Sequence, residues 1–337
     1  MPSPDSQCET SNTSWIKLVK KYNRPKPAKS WWQLSVNLFL YSFAWFLMYE
    51  SLSISWWITF GLSIPTAGLL VRLFIIFHDC GHGSFFRSEK LNDAVGLMIG
   101  ILTFTPYYSW TRNHRIHHET AGNLDKRGIG DVWTMTVDEY RTSTTWIKIQ
   151  YRFYRQPVTM FGIGAFYVFV MGNRFTKRNM DSKGRLGVYL TNAGLIAFSW
   201  GMSLLIGWQA FFLIQLPVIL IAGVLGFWLF YVQHQFDPSY WAHNEDWSYV
   251  RMALEGSSYY KLPWLFRYFS GNIGFHHIHH LSPLIPNYNL RRCHFENPYF
   301  QTVKPLTLTA SVATLRYRLW DETQQRMVSF RATRKPR

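Results

Sequence analysis

The chain is short of cysteine and short of acid. Its three cysteines, Cys8, Cys80 and Cys293, form no spaced framework. That excludes a disulfide scaffold and a cysteine-built zinc or iron–sulfur site. Asp and Glu number 19 against 35 Lys and Arg, a formal net charge of +16 over 337 residues. Such a basic chain suits nucleic acid or anionic lipid. No nucleic-acid motif is present, and the basic residues flank apolar runs instead of forming a recognition helix, so no nucleic-acid partner is expected. No early apolar core marks the N-terminus, so no signal peptide is expected.

What the chain has is aromatic and apolar. Apolar residues make up 48% and aromatics 18%, with sixteen tryptophans. Amphipathic rings of this kind concentrate at membrane interfaces. Residues 31–49 and 53–77 are two runs long enough to cross a bilayer, joined by a short turn at Glu50. Pro65 lies inside the second, which membrane helices tolerate, and Arg72 near its end is placed to snorkel. Residues 186–206 and 208–233 make a second pair, joined at Gly207. Residues 94–108 and 157–172 are apolar but short and interrupted by Gly or Pro, which predicts interfacial or re-entrant segments. Lys and Arg fall in the arm before residue 30, in the loop 174–185 and in the C-terminal segment. The turns at Glu50 and Gly207 have none. This is the positive-inside pattern, with both termini cytoplasmic in a multi-pass cell-membrane protein. The expected fold is all-α, with four transmembrane helices, interfacial helices and a cytoplasmic cap formed by the segment after residue 235. Residues 1–13 read as polar and disordered, 1–30 as a basic arm at the lipid surface, and 332–337 as a basic tail.

Nine of the twelve histidines fall in a pattern. His78 and His82 are spaced H-x3-H. His114, His117 and His118 form H-x2-HH, and so do His276, His279 and His280. His234 stands alone at the end of the fourth apolar run. Residues three and four apart share a helix face, so each group aims its rings at one point. Neutral imidazole is a ligand for iron, zinc or copper. Nine ligands exceed one metal and suit two, each with four or five. The +16 topology puts every one of them on the cytoplasmic side. His243 and His294 match no pattern and read as ordinary polar residues. His277 lies off the shared face and reads as an outer partner of the ligands or as solvated. Cys80 reads as a spacer.

These boxes resemble those of membrane fatty acid desaturases, and the H-x3-H of the first box resembles the acyl-lipid branch. The strings IIFHDCGH, NLDKRGIGD, FYVQHQF, EGSSYYKLP and GNIGFHHIHHLSPLIPNYNL are similar to bacterial acyl-lipid desaturases of the Bacillus Δ5 type. The resemblance spans residues 31–331, which would form the desaturase domain. It implies O2-dependent insertion of a cis double bond, at Δ5, into the acyl chain of a membrane phospholipid. It implies a non-haem di-iron centre held by the eight box histidines, with His234 completing the set. Asn272 is placed to orient a ligand or hold a water. Asp79, Asp125, Asp131 and Asp237 are placed to bond the outer ring nitrogens of ligands, and each reads equally as a surface salt bridge or helix cap. No HPGG-like haem-binding loop is present, so ferredoxin or flavodoxin is the implied electron donor. The competing readings are a hydroxylase or a carotenoid or sterol-type oxygenase on the same scaffold, and a non-enzymatic metal transporter or sensor. The last needs ionisable residues within the spans, where Arg72 stands alone.

Overall fold

The computed structural model describes residues 15–333. Residues 1–13, which the sequence predicts to be disordered, together with Cys8 and residues 334–337 of the expected tail, lie outside the described residues.

Two helical hairpins set the frame. The first joins α1 (Pro27–Leu52) to α2 (Trp56–Gly81). Pro27 begins α1, where its missing N–H costs nothing, and the Ser55 side chain caps α2 by accepting from the Trp57 N–H. Pro65 is accommodated within α2, and the helix runs on past Phe77 to carry His78. After α2 come α3 (Glu89–Leu102) and α4 (Tyr107–Thr120), so the apolar stretch 94–108 is divided between two helices, with the break at Pro106. The second hairpin joins α5 (Ser182–Ile206) to α6 (Trp208–His234) through Gly207 at φ 83°. The stretch 157–172 winds mainly as π-helix, Val158–Ile163 and Tyr167–Met171, against α6. A Cβ on Gly223 of α6 would stand 3.1 Å from the Phe169 ring and 3.4 Å from the Ala165 Cβ, so the bare glycine makes room for these side chains.

Among the described residues, three helices are long and apolar enough to cross a membrane: α2, α5 and α6. The expected first span folds as a 26-residue helix but is not among them. The reason lies in its two faces. Gln33, Asn37, Tyr41, Trp45 and Ser51 are buried, while Trp32, Phe39, Phe43, Phe46 and Leu47 are exposed. The polar groups point inward and bond there: Asn37 Nδ2 donates to the Gln33 carbonyl, and Ser51 bonds Thr59 of α2. Leu34, Met48, Leu70, Phe77, Ile99, Phe211, Ile214 and Val218 fill the core between the hairpins.

The cap is not all-helical. Among the described residues it contains α7 (Tyr249–Glu255), α8 (His276–Leu281) and α9 (Asn287–Glu296), together with four strands of two or three residues, and a fifth strand joins them from the loop after α4. Met135–Thr136 pairs in parallel with Leu319–Asp321, which pairs antiparallel with Arg326–Val328. Tyr259–Tyr260 pairs with Pro305–Leu306. These ladders satisfy backbone groups where the C-terminal segment crosses distant loops. Arg155, almost fully buried, fastens the same crossing by donating to the Trp133 and Tyr317 carbonyls and to Gln235.

Two expectations change. The basic arm is partly inside the cap: residues 15–20 are helical, and Val19 and Tyr22 are buried with Ile273, Leu290 and Phe300. The Tyr22 hydroxyl donates to Glu296, and Lys21 pairs with the same carboxylate at 3.2 Å. Arg72 does not reach for the interface alone. Its guanidinium sits 4.0 Å over the Tyr268 ring and donates to the Tyr268 carbonyl.

Gly274 sits where two backbones meet just before the third histidine group. A Cβ there would stand 2.5 Å from the Tyr260 carbonyl oxygen, whereas one on Gly201 would meet nothing within 4 Å. Gly274→Ala should therefore lower stability by about 1–3 kcal/mol. Gly201→Ala should cost nothing, which thermal melts of the two detergent-solubilised variants would show.

Candidate metal centre

Four elements bring the nine histidines together. The end of α2 supplies His78, and His82 caps it. His114, His117 and His118 come from α4, His234 from the last residue of α6, and His276, His279 and His280 from α8. They form two groups. His78, His82, His114, His118 and His279 make one, and His117, His234, His276 and His280 the other. Within each, the nitrogens offered lie within 4.8 Å of one another.

The division follows the helix screw. Residues four apart stay together: His78 with His82, His114 with His118, and His276 with His280. Neighbours point about 100° apart. Each HH pair therefore sends one ring to each group, and so do the pairs three apart, His114 with His117 and His276 with His279. The expectation that a whole H-x2-HH motif aims at one point is thus replaced by a motif that serves two.

Ring nitrogens approach closely at two hubs. His234 Nε2 is 3.1 Å from His117 Nε2 and 3.0 Å from His276 Nε2. His118 Nε2 is 3.1 Å from His114 Nε2 and 3.0 Å from His279 Nε2. A ring nitrogen has one hydrogen or one lone pair, so neither hub can satisfy both neighbours by hydrogen bonding. His82 Nε2 and His280 Nε2 are buried with no hydrogen-bond partner. A cation answers all of this. Nitrogens held roughly 2.1 Å from one ion and at right angles stand about 3.0 Å apart. The histidine groups fit a di-metal centre.

Burial favours the ligand form. Desolvation first, and neighbouring imidazoles second, push His114, His118, His276, His279 and His280 well below the usual imidazole range. They are neutral at pH 7, with lone pairs available. Aromatic rings wall the site. Trp110 stacks on His114 at 4.4 Å, and Phe230 lies 5.2 Å from His117 and 5.3 Å from His234.

The outer residues divide. Asp131 Oδ1 accepts from His117 Nδ1 at 2.7 Å, and Asp79 Oδ1 from His78 Nδ1 at 3.2 Å. Each group thus has one carboxylate on an outer ring nitrogen. Asp125 instead bonds His243 Nδ1 and the Asn244 N–H, and Asp237 accepts from the Met327 N–H and Arg326. Both are loop ties to the cap. Asn272, in a left-handed conformation at φ 61°, donates to the Asn287 carbonyl and makes no bond to a box histidine. His277 is buried, not solvated: its Nε2 lies 3.2 Å from His294 Nδ1. His294 is accordingly buried as well, and its sequence position held no sign of that. Cys80 is buried and free, with no part in either group. Asn287, which nothing in the spacing singled out, contacts Asp79.

The fatty acid desaturase family model matches residues 53–303. A fatty acid desaturase of Bacillus subtilis is 47% identical over 317 residues, covering 94% of this chain and 90% of that protein. An sn-1 oleoyl-lipid 12-desaturase of Synechocystis is 27% identical, covering 82% and 78%. A chloroplastic sn-2 acyl-lipid omega-3 desaturase (ferredoxin) of Helianthus annuus is 27% identical, covering 69% and 54%.

Neutral burial sets an acid limit. His114, His118, His276, His279 and His280 titrate in the folded chain below their unfolded value of about 6.5. Between the two values the unfolded chain binds more protons, so stability is full above pH 6.5 and falls as pH drops below it. Chelator-treated protein should melt at steadily lower temperature from pH 6.5 to pH 5 and show no such slope from pH 7 to pH 8.

Proposed function

Since the chain belongs to the fatty acid desaturase family, we propose that this membrane oxidoreductase inserts a cis double bond into the acyl chains of membrane phospholipids, with two irons held by the nine histidines. The observation that carries the reading is the convergence of four distant segments on two all-imidazole groups at the end of an apolar bundle. The resemblance to the Bacillus-type enzyme points to the Δ5 position.

His78, His82, His114, His118 and His279 hold one metal, and His117, His234, His276 and His280 the other. Histidine-bound iron supplies the activation of dioxygen that removing hydrogen from an unactivated methylene requires. Dioxygen takes four electrons, two from the substrate carbons and two from an outside donor, and leaves as two waters. Asp79 and Asp131 hold the outer nitrogens of His78 and His117, which fixes tautomer and ring orientation. Trp110, backed by Phe77, and Phe230 exclude water and give an alkyl chain an apolar approach from the bundle. A ferredoxin or flavodoxin supplies the electrons. The relative from Helianthus annuus carries ferredoxin in its name, and a chain of net charge +16 attracts an acidic carrier.

The four long helices α1, α2, α5 and α6 cross the cell membrane, with both termini and the metal centre cytoplasmic. Exposed Trp31, Trp32, Trp56, Trp57 and Trp208 near the helix ends support this, as aromatic rings favour the interface. The outward apolar face of α1 supports it for that helix too.

Bacteria expressing the chain should gain a new unsaturated fatty acid, its double bond located by mass spectrometry of disulfide adducts. His117→Ala and His279→Ala should insert normally and give no product. Near-normal product from either variant would defeat the shared-centre reading, and a hydroxylated acid would replace desaturation with hydroxylation. A reporter fused after residue 337 should be active only when it is a cytoplasmic type. A periplasmic-type signal would overturn the topology.

A further inference from the structure

The first histidine group is completed from the cap by a residue outside every box. Asp79, buried at 1% exposure, spends Oδ1 on His78 Nδ1. Its other oxygen, Oδ2, accepts twice from Asn287: from the backbone N–H at 2.7 Å and from Nδ2 at 2.8 Å. Asn287 is fully buried and opens α9 directly after Pro286. Its N–H is one of the unpaired donors of a helix start, and that end of the helix favours negative charge. The Asn287 side-chain oxygen accepts from Gln33 Nε2 on α1 at 2.8 Å, and its own carbonyl accepts from Asn272. A continuous buried path therefore runs Gln33, Asn287, Asp79, His78, and joins α1, the cap and α2.

We propose that Asn287 is a positioning residue for the metal group containing His78. It holds Asp79 aimed, with one oxygen turned to His78, so that His78 presents its inner nitrogen. The inference rests on the metal reading above. The chemistry argues for it over simple packing. A buried carboxylate without donors is costly, and it rotates to relieve that cost. Two donors on one oxygen leave the other free for a single task, the His78 N–H. The second group has no such clamp from α9: Asp131 meets His117 from a loop, and its Oδ2 has no hydrogen-bond partner. The two metals should therefore differ in their dependence on the cap. Asn287 also explains how the segment after the third box contributes to a site it does not touch. Docking of α9 on α1 and α2 sets one ligand of the first box, so a cap that fails to seat loosens that metal first.

The experiment is a chelator titration of purified, metal-loaded full-length protein, read as metal per chain and as the visible spectrum of the cobalt-substituted form. Parent protein should release two metals. Asn287→Ala should weaken one of them by about 10- to 100-fold, the usual cost of losing an outer partner. The other should stay unchanged, and the cobalt band of the affected site should shift. Asn287→Asp keeps shape but sets a second carboxylate against Asp79, so it should weaken the same metal at least as much. Asn287→Ser, which retains a donor, should recover part of the loss. The double variant Asn287→Ala with Asp79→Asn should lose no more than Asp79→Asn alone, because both act through one bond. Unchanged affinity in Asn287→Asp, equal weakening of both metals, or fully additive losses would overturn the proposal. Parent protein that binds no metal would overturn the metal reading instead, and this one with it. Melting curves of each variant separate loss of metal from loss of fold.

Discussion

Everything in the structure turns on bringing uncharged lone pairs together where water cannot reach them. Ring nitrogens of His118, His234 and their neighbours stand about 3 Å apart in a buried space. Left alone, such a cluster gains little and costs the desolvation of each polar atom. It persists because rigid elements hold it from several directions. The ends of α2 and α6 are fixed by the apolar bundle, α4 lies across them, and α8 is pressed in by the cap. A cation turns the same crowding into binding energy.

The bundle's packing is inverted at one place in a way that suits its surroundings. In water, a helix with Gln33 and Asn37 would turn them outward. Here α1 turns them in and leaves phenylalanine and tryptophan on the surface. Inside, Gln33 has a task, since it ends the path that reaches His78. The polar inner face of α1 thus links the demands of an apolar solvent to the alignment of the site.

The cap's form follows from the same alignment. A segment of about one hundred residues with little apolar periodicity has to lie over the site and keep α8 in register. It does so with short ladders, with Arg155 bridging three segments, and with the buried Val19 and Tyr22 of the chain's beginning. The placing of the histidine rings is therefore tied to residues far along the chain, Asn287 and Gln33 among them.

Much of this was legible in the chain itself. Apolar run length located all four long helices to within a few residues, because bilayer thickness leaves little choice. The recurrence of H-x2-HH marked the histidines that gather in the two groups, because few other side chains offer neutral nitrogen lone pairs at that spacing. Spacing also suggested that each motif serves one point, and there the three-dimensional screw decided otherwise: residues three apart and residues four apart diverge once a second group offers a nearer target. The carboxylates show the same limit. Asp79, Asp125, Asp131 and Asp237 look alike in sequence, and only folding sends two to histidines of the clustered groups and two to ties within the cap. Asn287 and His294 carried no local signal, and the spacing that set His277 off the shared face did not reveal its partner. Their roles arise from contacts between segments tens to hundreds of residues apart. Local periodicity reports which face of a helix is apolar, and it says nothing of which distant backbone arrives to meet that face.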